Sequence, residues 1–249
     1  GLKMIQINTD GLTVKLPRAY LTVYHAICDQ WQKMTKLELE FVEYRVMYIR
    51  DVNNYIAVGE DGSIKRKGAY EYKKVEDGGM LGWHQNRSAL VIAKAAEAAL
   101  VKGYSIEAFI KYHQDDTDFM LLEKAKGGAK LMLNGVEQQK HLRYFVSVDG
   151  HPLSIIRLPT GEIGSYKRRA GITDAYYAQI LSSIPAGTWD ERIHTKNKST
   201  YQKTEVKVNR GYLATECNHI RNFDRNKVDY NFYIQETKKL VDKIKQFVG

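Results

Sequence analysis

Cysteine is scarce: Cys28 and Cys217 are the only two in 249 residues. Two distant thiols imply no disulfide framework and favour a reducing compartment. No apolar run approaches the roughly 20 residues that a membrane-spanning helix needs. The first residues read as a strand rather than as a basic and then apolar leader, so we expect a cytoplasmic protein with no membrane partner. Internal repeats and low-complexity tracts are also missing. Lys126-Gly127-Gly128 lacks the spacing of a phosphate-binding Walker loop and reads as a plain loop. No Ser-His-Asp or Cys-His catalytic arrangement can be read from the chain. His25 with Cys28, and Cys217 with His219, are isolated pairs with poor spacing for zinc.

A hydrophobic content of 43% fits a folded chain, and the length suits one large or two modest domains. The formal net charge is +9, which favours a polyanionic partner without naming it. The 17 tyrosines sharpen that direction, because Tyr interleaved with Lys and Arg suits sugar–phosphate contact. Any single Tyr is equally a half-buried core residue.

Short β-runs at Ile5-Gln6-Ile7 and Leu12-Thr13-Val14 flank the turn Asn8-Thr9-Asp10-Gly11. Such a hairpin can lift the Asp10 carboxylate into a cleft, where it could hold a divalent metal; alone, Asp-Gly between β-runs is an ordinary surface turn. Residues 19–36 carry Leu21, Tyr24, Ile27, Cys28, Trp31 and Met34 at helical spacing, a stripe expected to pack on a sheet. Residues 37–50 read as two β-runs, the first alternating Glu38, Glu40 and Glu43 with Leu39, Phe41 and Val42. A hairpin is expected from residues 53–58 and 63–67, joined by Gly59-Glu60-Asp61-Gly62.

Gly78-Gly79 suggests a domain boundary, giving units of 1–76 and 77–249. Beyond it, Asn86 or Ser88 would cap an Ala-rich helix ending at Gly103, and Ser105 would cap a short one. Residues 119–124 read as a strand, as do the short pieces 144–148 and 153–158; a helix is expected over 172–183. Asp115, Asp116 and Asp118 form the densest acidic cluster, but they fall between a helix and a strand, where Asp serves turns. Residues 192–210 hold six Lys/Arg against Glu205 and read as a mobile, exposed loop. A closing amphipathic helix follows Asp229, with Tyr230, Tyr233, Ile234, Leu240, Val241, Ile244 and Phe247 on its apolar stripe.

Four stretches, in this order, resemble family B DNA polymerases of the phage type. The Asn8-Thr9-Asp10 hairpin is similar to the family's Asp-Thr-Asp metal hairpin, with Asn8 in place of the first acid. Leu37 to Arg45 resembles the palm strand that follows it. Tyr55, then Lys65-Arg66-Lys67-Gly68, resembles the family's Lys-rich-Tyr motif and Lys-x-Lys-Gly strand, although Asn53 and Asn54 stand where Lys or Arg is usual. The final helix resembles the end of the thumb.

The resemblance implies an α+β fold: part of a polymerase palm, an antiparallel sheet with a packing helix, then a mainly helical thumb with a β-containing tip. It implies a DNA-directed DNA polymerase, a nucleotidyltransferase of DNA replication, located in a host cytoplasm. Asp10 would be its one catalytic metal ligand here, for Mg²⁺. Tyr55, Lys65, Arg66, Lys67 and Gly68 would bind the primer–template DNA; a charge run of this kind also suits a solvated edge strand. The dNTP site, fingers, exonuclease and second palm aspartate would belong to the remaining polymerase portion, in the same or a partner chain. The isolated chain is therefore expected to be inactive. The alternative is a non-catalytic basic nucleic-acid-binding module in which Asp10 is only a turn residue.

Overall fold

The computed structural model describes residues 2–8, 11–72, 89–126, 129–157 and 204–248. They form antiparallel sheets and four α-helices, an α+β combination. The chain divides into two units, one holding residues 1–85, 89–115 and 230–249, the other 86–88 and 116–229. The closing helix thus belongs with the N-terminal sheet, a different partition from the 1–76 and 77–249 units suggested by Gly78-Gly79. Those glycines, the caps at Asn86 and Ser88, the loop glycines 127–128 and the 172–183 helix lie outside the described residues.

The first unit opens with β1 (Lys3–Ile7) and β2 (Leu12–Lys15), the expected hairpin. Helix α1 (Leu21–Thr35) follows and stops at Lys36, which takes the left-handed conformation at φ 63°. Next come β3 (Tyr44–Asp51), β4 (Asn54–Gly59) and β5 (Ile64–Lys67), with the 59–62 turn closed by the Gly59 N–H donating to the Ser63 carbonyl at 2.8 Å. Helix α2 (Leu90–Lys102) ends at Gly103 in the left-handed conformation, φ 71°. In α3 (Ile106–Tyr112), the Ser105 hydroxyl accepts from the Ala108 N–H at 3.2 Å, so the expected cap is present.

One face of this sheet is closed by helices. Val46, Tyr48, Ile56 and Val58 point to it, and Ala96 of α2 meets them with Tyr70 and Leu240. Alanines let α2 lie close to the strands, and Tyr70, fully buried, donates its hydroxyl proton to the Leu240 carbonyl at 2.8 Å. Burial pushes the Tyr70 hydroxyl up to about 12, so it stays a donor. Leu240 lies in the closing helix, Tyr230–Val241, which ends sooner than its apolar stripe suggested. Lys245–Val248 is instead a strand paired with β3, giving the sheet the order closing strand, β3, β4, β5. Ile244 and Phe247 keep their apolar contacts, but on opposite faces of the sheet.

Two expectations for this unit are corrected. Residues 37–43 form no strand: no described strand pairs with them, and they run back along α1. There the Leu39 N–H donates to Gln32 Oε1 at 2.6 Å and Phe41 packs edge-on against His25, 4.7 Å between centroids. Helix α1 itself buries none of its residues, so its stripe does not pack on a sheet.

The second unit is built around one long strand. Strands β6 (Leu121–Lys124), β7 (Lys130–Leu133) and β8 (Val136–Glu137) lead to β9 (His141–Arg157), then β10 (Thr204–Lys207) and β11 (Leu213–Glu216). The first half of β9 pairs with β6 and β11, the second with β7 and β10. Asp149-Gly150-His151-Pro152 reads as a turn splitting two strands, yet both pieces are one strand carrying a bulge. Ala214 sits opposite Val146 while its neighbour Leu213 sits opposite Pro152. Gly150 is required there, since a Cβ would lie 2.5 Å from the Ala214 carbonyl. The unit buries Phe119, Leu131, Leu142, Phe145 and Leu153. Of the loop expected over 192–210, residues 204–207 form β10 and 208–211 a 3-10 turn; the rest lies outside the described residues. In chain order, the closing helix Tyr230–Val241 is α4 and the strand Lys245–Val248 is β12.

Candidate nucleic-acid interface

Alternation along β4 and β5 decides which candidates share a surface. Tyr55 lies opposite Lys67, Ile56 opposite Arg66, and Ala57 opposite Lys65. Tyr55, Lys65 and Lys67 therefore share the face away from the helices, with Met47, Ile49 and Ala57 beneath them. Lys65 and Lys67 are exposed, and Tyr55 is half-buried. Tyr44 packs against the same cluster. Its hydroxyl accepts from the Lys65 ammonium and, with Tyr55 and Glu40 adding to it, holds that group above the ordinary lysine value.

Arg66 faces the other way. Its Nε donates to Glu97 Oε2 of α2 at 2.5 Å and Nη2 to Oε1 at 3.0 Å, a bidentate pair whose side chains are 10% and 7% exposed. The guanidinium also stacks over Tyr72, 4.5 Å from its centroid. Arg66 ties the sheet to α2 and does not share the lysine face. Gly68 is a backbone necessity: its φ is +63°, and a Cβ would lie 2.3 Å from both the Asn53 carbonyl and Asn54 Oδ1. Asn54 explains its own place, accepting from the Ala69 N–H at 2.7 Å while donating to Asp51 Oδ1 at 2.7 Å. The Asn54 side chain thus holds the end of the hairpin shut, while Asn53 contributes its backbone N–H, donated to Asp51 Oδ1 at 3.0 Å.

The β1–β2 hairpin lies on the lysine side of the sheet. Ile5 packs against the Met47, Ile49 and Ala57 cluster, Lys3 reaches over the Phe247 ring, and Lys15 donates to the Val248 carbonyl. At the other end Gln6 Nε2 donates to the Val52 carbonyl at 3.2 Å. Val52 lies in the β3–β4 turn, so the tip of the hairpin approaches the end of the sheet that carries Tyr55, Lys67 and Gly68. The tip is closed by the Asn8 N–H donating to the Gly11 carbonyl at 2.9 Å. Asp10 itself lies outside the described residues.

Gln6 and Tyr44 are the residues that sequence reasoning missed. Tyr44 could have been found by extending the strand parity from Met47. Gln6 carried no signal, because a buried glutamine in a short strand looks like any polar strand residue. The remaining candidates are structural. Asp116 pairs with Arg225, and Asp118 is buried. Cys217 is buried, its thiol donating to the His219 carbonyl at 3.3 Å, and burial pushes it up to about 11. Among the described residues no group of three or more His, Cys, Asp or Glu side chains could hold a metal, and no helix is long and apolar enough to cross a membrane.

The chain matches no protein-family model, and no curated protein matches its sequence.

Proposed function

We propose that the chain is the C-terminal palm and thumb portion of a family B, phage-like DNA polymerase, gripping primer–template duplex and supplying one metal-binding aspartate, Asp10. The observation that carries this reading is the Gln6–Val52 hydrogen bond. It brings the candidate metal hairpin to the end of the sheet where Tyr55 and Lys67 present a stacking face and a cation. A primer terminus lying along Lys65 and Lys67 would then run toward the hairpin.

The donor chemistry fits Mg²⁺ in part. The ion prefers hard oxygens, and the hairpin sequence includes the carboxylate of Asp10 and the amide of Asn8. One or two carboxylates anchor such ions, and the second aspartate that the resemblance implies would come from the remaining polymerase portion. When bound, a metal pair in such enzymes activates the primer 3′-hydroxyl and neutralises charge on the dNTP phosphates. The part of this chain is to orient and to grip: Asn8 closes the hairpin, Gln6 anchors it, and Lys65 and Lys67 neutralise backbone phosphates without reading sequence.

Asp10→Asn in the reconstituted polymerase tests the reading. Duplex binding stays nearly intact, whereas nucleotide incorporation falls by several orders of magnitude. Template-dependent extension by the isolated chain would overturn its reading as a part, and undiminished incorporation in Asp10→Asn would return Asp10 to a turn residue. The chain would then be a basic binding module, the reading that Asn8 in place of the usual acid favours.

A further inference from the structure

The closing strand gives the lysine face a second charged edge. Lys245 of β12 lies opposite Ile49 of β3, Ile49 opposite Tyr55 of β4, and Tyr55 opposite Lys67 of β5. Residues directly opposite one another in antiparallel strands share a face, so this row crosses the whole sheet on one side. The residues around Lys245 fix the same parity. Ile244 packs into the cluster under the helices, and Phe247 into the cluster of Met47, Ile49 and Ala57. Lys245 is exposed.

The β1–β2 hairpin runs between the two lysine edges. Lys3 lies over the Phe247 ring on β12, and Ile5 packs on Met47, Ile49 and Ala57. Gln6 then donates to the Val52 carbonyl in the β3–β4 turn. That path crosses the sheet obliquely, with Lys245 on one flank and Tyr55, Lys65 and Lys67 on the other. The register sets Lys245 and Lys67 three strand spacings apart, about 14 Å between Cα atoms. With Ile5 seated between them, one phosphate cannot meet both.

The sheet is also one-sided in sign. Its four strands hold Arg45, Arg50, Lys65, Arg66, Lys67 and Lys245 against a single acid, Asp51. Asp51 is occupied locally, accepting from the Asn53 N–H at 3.0 Å and from Asn54 Nδ2 at 2.7 Å. A lysine that only protects an edge strand from pairing serves equally on either face. Here all three lysines of the two edge strands, β5 and β12, share the face away from the helices.

We infer that Lys245 is a backbone-phosphate contact on the far flank of the hairpin, so that a bound duplex straddles the hairpin between Lys65 and Lys67 on one side and Lys245 on the other. A separation of about 14 Å covers roughly four nucleotide steps at 3.4 Å each, so a polynucleotide reaches both flanks where a single phosphate reaches one. The inference rests on the proposed reading of Lys65 and Lys67 as DNA-binding residues, and not on Asp10 or on metal chemistry.

The test measures binding of the full chain to a fluorescein-labelled DNA duplex of two helical turns, by anisotropy over a range of salt. Lys245→Ala flattens the dependence of log affinity on log salt by roughly one unit, beyond the change made by Lys65→Ala with Lys67→Ala. Lys245→Arg keeps the slope. Lys245→Ala with Gln246→Lys preserves net charge but turns the cation to the helix side, because Gln246 lies opposite Tyr48. The slope stays flattened in that variant. These positions are exposed, so circular dichroism and the thermal midpoint match those of the unaltered chain. Recovery of the slope in the charge-moved variant overturns the inference, since overall charge and not contact would then set it. Flattening by the Lys65 and Lys67 pair but not by Lys245→Ala overturns the inference alone and leaves the DNA-binding face standing. Flattening by Lys245→Ala but not by that pair leaves the Lys245 contact, and removes both the reading of Lys65 and Lys67 and the straddling. A slope indifferent to every variant overturns both.

Discussion

The two faces of the four-stranded sheet use the same alternating strands for different ends. Toward the helices, Val46, Ile56, Val58 and Tyr70 are closed in by α2 and α4, and Arg66 on that side is neutralised by Glu97. On the other face, Tyr44 and Tyr55 are half-buried and Lys65 and Lys67 are exposed. Three consecutive basic residues thus divide into a structural tie and two outward charges. A charge run on a strand is therefore two populations, and only the parity of the strand separates them. Substitutions at residues 65–68 should move stability and DNA binding independently.

The largest effect is expected at Arg66. Arg66→Ala leaves the Glu97 carboxylate buried without its bidentate partner, which costs about 3–5 kcal/mol. Urea unfolding of the first unit should show this as a lower midpoint with an unchanged slope. Arg66→Met with Glu97→Leu should restore much of the loss, since an apolar pair can replace a buried ion pair. An Arg66→Ala protein of normal stability but weakened duplex binding would reverse the assignment of the two faces.

Gly68→Ala comes next. The residue is at φ +63°, and its new Cβ would meet the Asn53 carbonyl and Asn54 Oδ1 at 2.3 Å. We expect a loss of about 1–3 kcal/mol, read by the same unfolding measurement. Duplex binding by the folded fraction should change little, because the glycine serves the hairpin end and not the ligand. Weakened binding at unchanged stability would instead make Gly68 part of the DNA-facing surface.

The lysine face gives the third prediction. Lys65→Ala with Lys67→Ala should leave stability within about 0.5 kcal/mol, as exposed substitutions usually do. It should flatten the dependence of log affinity on log salt by roughly one unit for each phosphate that is no longer neutralised. Arg66→Met with Glu97→Leu should leave that slope unchanged. Equal slopes for all three proteins would make Lys65 and Lys67 a solvated edge and nothing more.

What could be read in advance follows from how local the forces are. The 54–67 hairpin, the Ser105 cap and the Gly103 stop were legible because turn chemistry and capping act over a few residues. Arg66 facing away from Lys65 and Lys67 was legible from parity, whereas its partner Glu97, 31 residues on, was not. The apparent strand at 37–43 failed because alternation needs a neighbouring strand, and Leu39 and Phe41 settle against α1 instead. The end of α4 was misjudged for a related reason. Ile244 and Phe247 suit a helical stripe, but β3 has an open edge that Lys245–Val248 fills. Bulge and turn look alike at Asp149-Gly150, since both call for glycine. Pairing with β11 on both sides of the bulge keeps β9 a single strand.

The smallest expected effect probes how the lysine face is held charged. The Tyr44 hydroxyl raises the Lys65 pKa above the ordinary lysine value by accepting its hydrogen bond. A raised folded-state value means the stabilisation is fully present below the unfolded lysine value. It is lost only as pH rises through the higher folded one. Neutral pH lies well below that window, so both folding and the salt slope should be constant from about pH 6 to 8 as far as Lys65 is concerned. Tyr44→Phe removes the acceptor and should lower the Lys65 pKa toward its usual value, followed by NMR titration of the ε-methylene. Lys65 stays protonated near neutrality even so, and duplex affinity there should hardly change. A large affinity loss in Tyr44→Phe would mean that the tyrosine hydroxyl itself meets the ligand, which would extend the binding face from β4 and β5 across to β3.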